Sequence, residues 1–158
     1  MIKMNFIISI IGIIIILSCT KQKDDTTDPP NDSMEVKAAD VSFLPEIRKS
    51  GITTRNRNGQ IEDMLTTLKK EGCNTIRLRL WYKPTTEHSG FNEVKTFAQE
   101  IKGLGMKVWL TVHYSDTWAD PGKQGKPASW KSLGFTPLKD SVYQYTARIV
   151  REINPEYI

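Results

Sequence analysis

Beyond residue 37 the chain switches repeatedly between two hydrophobic periods. Ala39, Val41 and Phe43 alternate with Asp40 and Ser42, which predicts a strand over Ala38–Phe43. Ile61, Met64, Leu65 and Leu68 recur at helical spacing, and Gly72 closes that helix. Asn74–Tyr82 returns to period two. Val94, Phe97, Ala98, Ile101 and Leu104 mark a second amphipathic helix, ended by Gly105. Lys107–His113 reads as a third strand. Leu138, Val142, Tyr145, Ile149, Val150 and Ile153 trace a third helix, stopped at Asn154-Pro155, and Tyr157-Ile158 read as the start of a fourth strand.

Strands alternating with helices of this length mean parallel βαβ units, the building block of both doubly wound sheets and (β/α)8 barrels. The strand faces decide between them. Ile76, Leu78 and Leu80 share one face of the second strand, and Arg77, Arg79 and Trp81 the other. In the third, Val108, Leu110 and Val112 oppose Trp109, Thr111 and His113. A doubly wound sheet is covered by helices on both sides and favours apolar residues on each. A barrel needs an apolar exterior only, and its lumen near the strand C-termini can be polar. The pattern therefore predicts a (β/α)8 barrel. Such a barrel takes about 250 residues, and residues 40–158 supply about three βα units. A piece of that size leaves two long strand edges and an open face, which predicts poor stability in isolation.

The N-terminus has a different character. Lys3 precedes an apolar run from Phe6 to Leu17, too short to span a bilayer, which takes roughly 20 residues, and fitted to a secretory signal. It ends Ile16-Leu17-Ser18-Cys19, which resembles a bacterial lipobox with Cys19 as the lipidated residue; Ser18-Cys19 as a plain small-residue cleavage site is the alternative. Residues 1–19 are thus read as a lipoprotein signal. Residues 20–37, polar and Pro-containing, are read as a disordered tether. Lys23-Asp24-Asp25 is similar to signals that send lipoproteins to the outer face of the outer membrane, which places the protein in the bacterial cell envelope, facing outward. With Cys19 acylated, Cys73 is the only other cysteine, and no intrachain disulfide forms. The formal charge of +4 is scattered, without the basic face that nucleic acid requires.

The densest chemistry lies in His113-Tyr114-Ser115-Asp116-Thr117-Trp118-Ala119-Asp120-Pro121, directly after the third strand. An imidazole, a phenol, two carboxylates and an indole in one loop suit a polar ligand with flat apolar faces, for which a sugar is the obvious candidate. Buried loops seldom carry such a mixture, because each polar group needs a partner. With two histidines in the sequence, His88 in a separate loop, and no clustered cysteines, a metal site has little support. There is no Gly-rich phosphate loop, and no cofactor is expected.

Three segments now make a resemblance specific. Ala39-Asp40-Val41-Ser42, Asn74-Thr75-Ile76-Arg77-Leu78-Arg79-Leu80-Trp81 and His113–Pro121 fall in the order and spacing of glycoside hydrolase family 53, the endo-β-1,4-galactanases of arabinogalactan. Gln124, Pro127 and Trp130 continue the match, and Leu138–Ile153 fits the next helix. Cys73 departs from it, standing where the family usually has an aliphatic residue. The resemblance implies a (β/α)8 barrel that cleaves galactan with retention of configuration. It also implies two catalytic glutamates, at the ends of the fourth and seventh strands, the first in a Gly-Asn-Glu motif that would fall after Ile158. No catalytic carboxylate is assigned here, and the chain by itself is expected to be inactive.

The remaining residues take supporting roles. Arg79, near the top of the second strand, is expected to orient the nucleophile's carboxylate, with Asp40 bracing the lumen through Arg77 or Arg79. His113, Tyr114, Asp116, Trp118, Trp81 and Asp120 are the expected substrate contacts. Trp118 and Trp81 are read as sugar platforms with core packing as the alternative, whereas Trp109, deeper in its strand, is assigned to the core and Trp130 is left open. Of Asp116 and Asp120, one is expected to bond sugar hydroxyls and the other to brace the loop. The competing functional readings are a galactan-binding lipoprotein without catalysis, and a related retaining barrel glycosidase acting on another polysaccharide.

Overall fold

The computed structural model describes residues 35–158; the signal segment with Cys19, and the tether up to residue 34, lie outside the described residues. Three strands, β1 (Ala38–Asp40), β2 (Thr75–Trp81) and β3 (Lys107–His113), form a parallel sheet in the order β1-β2-β3. Four helices accompany them: α1 (Leu44–Lys49), α2 (Met64–Lys70), α3 (Phe91–Gly103) and α4 (Phe135–Glu152). A single 3-10 turn, Ala128–Trp130, interrupts the long β3–α4 connection.

The alternation read from the sequence determines which face is covered. Ile76, Leu78, Leu80, Val108 and Leu110 are buried in one apolar cluster with Val94, Phe97, Ala98 and Ile101 of α3 and Tyr145 and Ile149 of α4. Gly72 and Gly105 terminate α2 and α3 at φ of 90° and 75°, a region that costs a side chain dearly. On the other face the register aligns side chains in layers: Asp40, Arg77 and Trp109; then Arg79 and Thr111; then Trp81 and His113. The beginning of a fourth strand is also visible, since Tyr157 bridges Trp109 in parallel and its carbonyl accepts from the Leu110 amide at 2.8 Å.

Two local expectations are corrected. β1 stops at Asp40 rather than Phe43, because the Asp40 carboxylate accepts from both the amide and the hydroxyl of Ser42 (3.0 and 2.7 Å) and turns the chain into α1, with Pro45 in its first turn. α2 starts at Met64, not Ile61: Asp63 caps it through the Leu65 and Thr66 amides, while Ile61 pairs with Arg55 and is exposed. Trp109 is 40% exposed in this three-stranded part of the barrel. It stands on the face that no helix covers, with the Arg77 guanidinium 5.8 Å from its ring.

Candidate active site at the C-terminal end of the sheet

Arg79 is the centre of the uncovered face. It is 5% exposed, and its guanidinium carbon lies 4.1 Å from the Trp118 ring centre, 4.6 Å from Trp81 and 4.7 Å from Phe43. Three rings thus surround one cation, each contact contributing about 0.5–2 kcal/mol depending on desolvation. Its backbone amide donates to the Ser42 hydroxyl, which in turn donates to Asp40. Nη2 donates to Ser89 Oγ at 2.9 Å and lies 3.0 Å from His88 Nε2. Nε is buried without a hydrogen-bond partner. Burial lowers the basicity of this guanidinium, opposed by the field of Asp40, Glu46 and Glu93.

Asp40 pairs with Arg77, Oδ2 to Nη1 at 2.6 Å, and not with Arg79. Partial burial opposes its ionisation, but the Ser42 hydroxyl and amide and the Arg77 charge prevail and hold the carboxyl below its ordinary value. The brace is therefore indirect: Arg77 fixes Asp40, Asp40 fixes Ser42, and Ser42 fixes the β2 backbone at Arg79.

His113 crowns β3 beside Trp81. Its Nδ1 accepts from the Ala119 amide at 3.1 Å, which places the proton of the neutral ring on Nε2. Trp118 meets His113 and Trp81 edge-on, at 5.8 and 5.7 Å, and remains 50% exposed. Trp118 thus has the Arg79 cation over its ring and half its surface open, while Trp81 keeps its indole Nε1 buried and unbonded. A groove of about 530 Å³ runs beside them, lined by Thr111, His113, Tyr114, Asp120 and Gln124.

The loop carboxylates serve the backbone. Asp116 Oδ2 accepts from the Ala128 amide at 2.8 Å, with Oδ1 buried and unbonded, and Asp120 Oδ1 accepts from Gly122 in a tight turn closed by Lys123. The Tyr114 hydroxyl meets Thr146 of α4 at 2.6 Å, tying the loop to the helix layer. Trp130 is buried against Tyr82. A larger groove of about 620 Å³ lies between Tyr82–Lys83 and α4, lined by Asp140, Gln144 and Arg148. It shares no lining residue with the groove at His113, and none of the Arg79 contacts opens into it.

One component escaped sequence reasoning. His88, set aside as belonging to a separate loop, is 7% exposed, stacks on Phe43 at 5.0 Å and touches Arg79. The available signal was its position, seven residues past β2 and two before Gly90, the cap of α3.

The His113 geometry has a pH consequence. Burial, then the charges of Arg79 and Arg77, push its pKa below the ordinary 6.5. A histidine depressed in the folded state contributes fully above the unfolded value, and stability declines as pH falls from there through the folded one. Acidification from neutrality is expected to weaken the fold and release the Ala119 amide. His113→Asn, whose carbonyl oxygen keeps an acceptor near Nδ1, flattens that dependence, as thermal unfolding between pH 7 and pH 5 will show. An unchanged slope would rule out His113 as its source.

Comparisons with known proteins identify the family and the fold. The profile of Glycosyl hydrolase family 53 matches residues 36–158. The Bacillus subtilis (strain 168) endo-β-1,4-galactanase is 37% identical over 129 residues, covering 77% of this chain and 30% of that protein. A probable arabinogalactan endo-β-1,4-galactanase A of Aspergillus fumigatus is 36% identical, covering 74% of this chain and 33% of its own length. The family 53 catalytic domain of Ignisphaera aggregans superposes with a TM-score of 0.71 at 34% identity, covering 75% of this chain and 35% of that one. The chain thus spans about a third of the length of the relatives it matches.

Proposed function

The chain belongs to glycosyl hydrolase family 53 and folds as part of a (β/α)8 barrel, and on that premise we propose that it is a segment of a retaining endo-β-1,4-galactanase. The observation that carries the reading is the caged, buried Arg79 beneath a half-exposed Trp118, at the C-terminal rim where barrel enzymes place their chemistry. An indole held flat by a cation can receive the apolar face of a galactose ring, and Nε2–H of His113 is a donor for a sugar hydroxyl. In this reading Arg79 orients and keeps ionised a carboxylate brought against its guanidinium.

Retention requires two carboxyl groups about 5–5.5 Å apart. Four carboxylates near Arg79 carry hydrogen bonds of their own: Asp40 with Arg77, Asp116 with Ala128, Asp120 with Gly122, and Glu93 with Ser89 and His88. Membership of family 53 implies that the nucleophile and the acid/base are two glutamates of a longer protein, and in this reading the present segment supplies the substrate-holding wall. The longer protein is expected to release oligosaccharides from β-1,4-galactan, with the β-anomer appearing first by NMR. Binding without release would replace this reading with a galactan-binding lipoprotein; release from arabinan, mannan or cellulose instead would keep the mechanism and change the substrate.

The same proposal places the enzyme at the outer membrane, supported by the Ile16-Leu17-Ser18-Cys19 sequence. Expression with radiolabelled palmitate should label the natural chain and leave Cys19→Ser unlabelled and soluble. Equal membrane association of both chains would refute the anchor.

A further inference from the structure

We propose that His88 and Glu93 are positioning residues that fix the orientation of the Arg79 guanidinium through a single imidazole tautomer, an inference that rests on the galactanase reading of the site. The proton assignment follows from the partners. A guanidinium donates and never accepts, so His88 Nε2, 3.0 Å from Arg79 Nη2, must be the acceptor. The ring proton then sits on Nδ1 and is donated to Glu93 Oε1 at 3.1 Å. Glu93, in the first turn of α3, also accepts from the Ser89 amide at 2.8 Å, so it is locked in turn. Nη2 has two protons; one goes to His88 and the other to Ser89 Oγ.

The backbone is bent to allow this. Ser89 adopts φ of 56°, a left-handed conformation that residues with a Cβ rarely take. The next residue must be small, because a Cβ at Gly90 would stand 3.0 Å from the Glu87 carbonyl oxygen. The reversal carries His88 back under Arg79, between the faces of Phe43 and the edge of Trp81. Strain at a residue whose side chain bonds the central cation marks a constrained geometry. Glu46 of α1, 3.6 Å from His88 Nε2, is the other charge facing the ring.

Two isosteres separate hydrogen bonding from packing. In the longer protein, His88→Gln places a carbonyl oxygen near the Nε2 position, whereas His88→Asn reaches only as far as Nδ1. On β-1,4-galactan, His88→Asn is expected to lower kcat about 10- to 100-fold with KM within about threefold, the scale of a misplaced active-site group. His88→Gln should recover most of that loss. Equal loss in both variants would reduce His88 to packing, and wild-type kinetics in both would remove it from the reaction. Nitrogen-15 NMR of the unmodified protein gives a readout that does not depend on turnover: a neutral His88 protonated on Nδ1 supports the proposal, and one protonated on Nε2 overturns it. A wild-type protein inactive on galactan would defeat the galactanase reading, while the tautomer would still decide the role of His88 toward Arg79.

Discussion

Arg79→Lys in the longer protein is expected to lower kcat on β-1,4-galactan by about 100- to 1,000-fold, the range seen when one preorganised donor to developing charge is lost. The substitution keeps a cation but loses nearly everything that the cage is built around. A planar guanidinium lies against three rings at 4.1–4.7 Å and divides its donors between Ser89, His88 and an unbonded Nε–H. An ammonium is a compact, strongly hydrated point charge with no fork. Burial already lowers the basicity of Arg79. A lysine starts near 10.4 and would lose its proton far more readily in the same cage. The loss is expected in kcat, because a carboxylate that is misaligned or poorly ionised affects the chemical step. Arg79→Met, which fills volume without charge, should reduce turnover at least as far. Circular dichroism must show both variants folded; a folded Arg79→Lys with wild-type kcat would remove Arg79 from the mechanism.

The sequence made β2, β3, α3 and α4 legible because each buries a single stripe and its period is unbroken. Ile76, Leu78 and Leu80 could be placed on the helix-covered face from alternation alone, and Arg79 on the other, since a one-residue slip would exchange every side chain. Places where a side chain overrides the backbone pattern were not legible. Asp40 ends β1 by binding Ser42, two residues into a run that still alternates. His88 could not be placed because its approach to Arg79 depends on the positive φ of Ser89, which no periodicity encodes. The loop carboxylates show a related limit: whether Asp116 faces sugar or backbone depends on where the Ala128 amide lies, twelve residues away.

A polypeptide of residues 36–158 alone is expected to release no oligosaccharide from galactan and to unfold without a cooperative transition. The first expectation follows from the chemistry. A retaining cleavage needs one carboxyl group as nucleophile and another as proton donor, and membership of family 53 implies that both are glutamates outside residues 36–158. The second follows from burial. The helix-covered side of the sheet is well packed, with Ile76, Leu80 and Val108 fully buried. On the opposite side Arg77, Trp109 and Trp118 have no second layer of strands against them among the described residues; β1 is an edge strand, and the outer edge of β3 is paired only at Val108–Leu110 by Glu156–Tyr157. Unpaired edges beside exposed indoles favour association between copies. Sedimentation should therefore show oligomers, and a hydrophobic dye should bind before any denaturant is added. Adding the remaining strands as part of one longer chain should abolish both signals. A monomeric 36–158 polypeptide that melts in one sharp transition would show that the helix-covered core suffices for stability, and measurable turnover by it would place the catalytic carboxylates within these residues, Asp116 with its unbonded Oδ1 first among them.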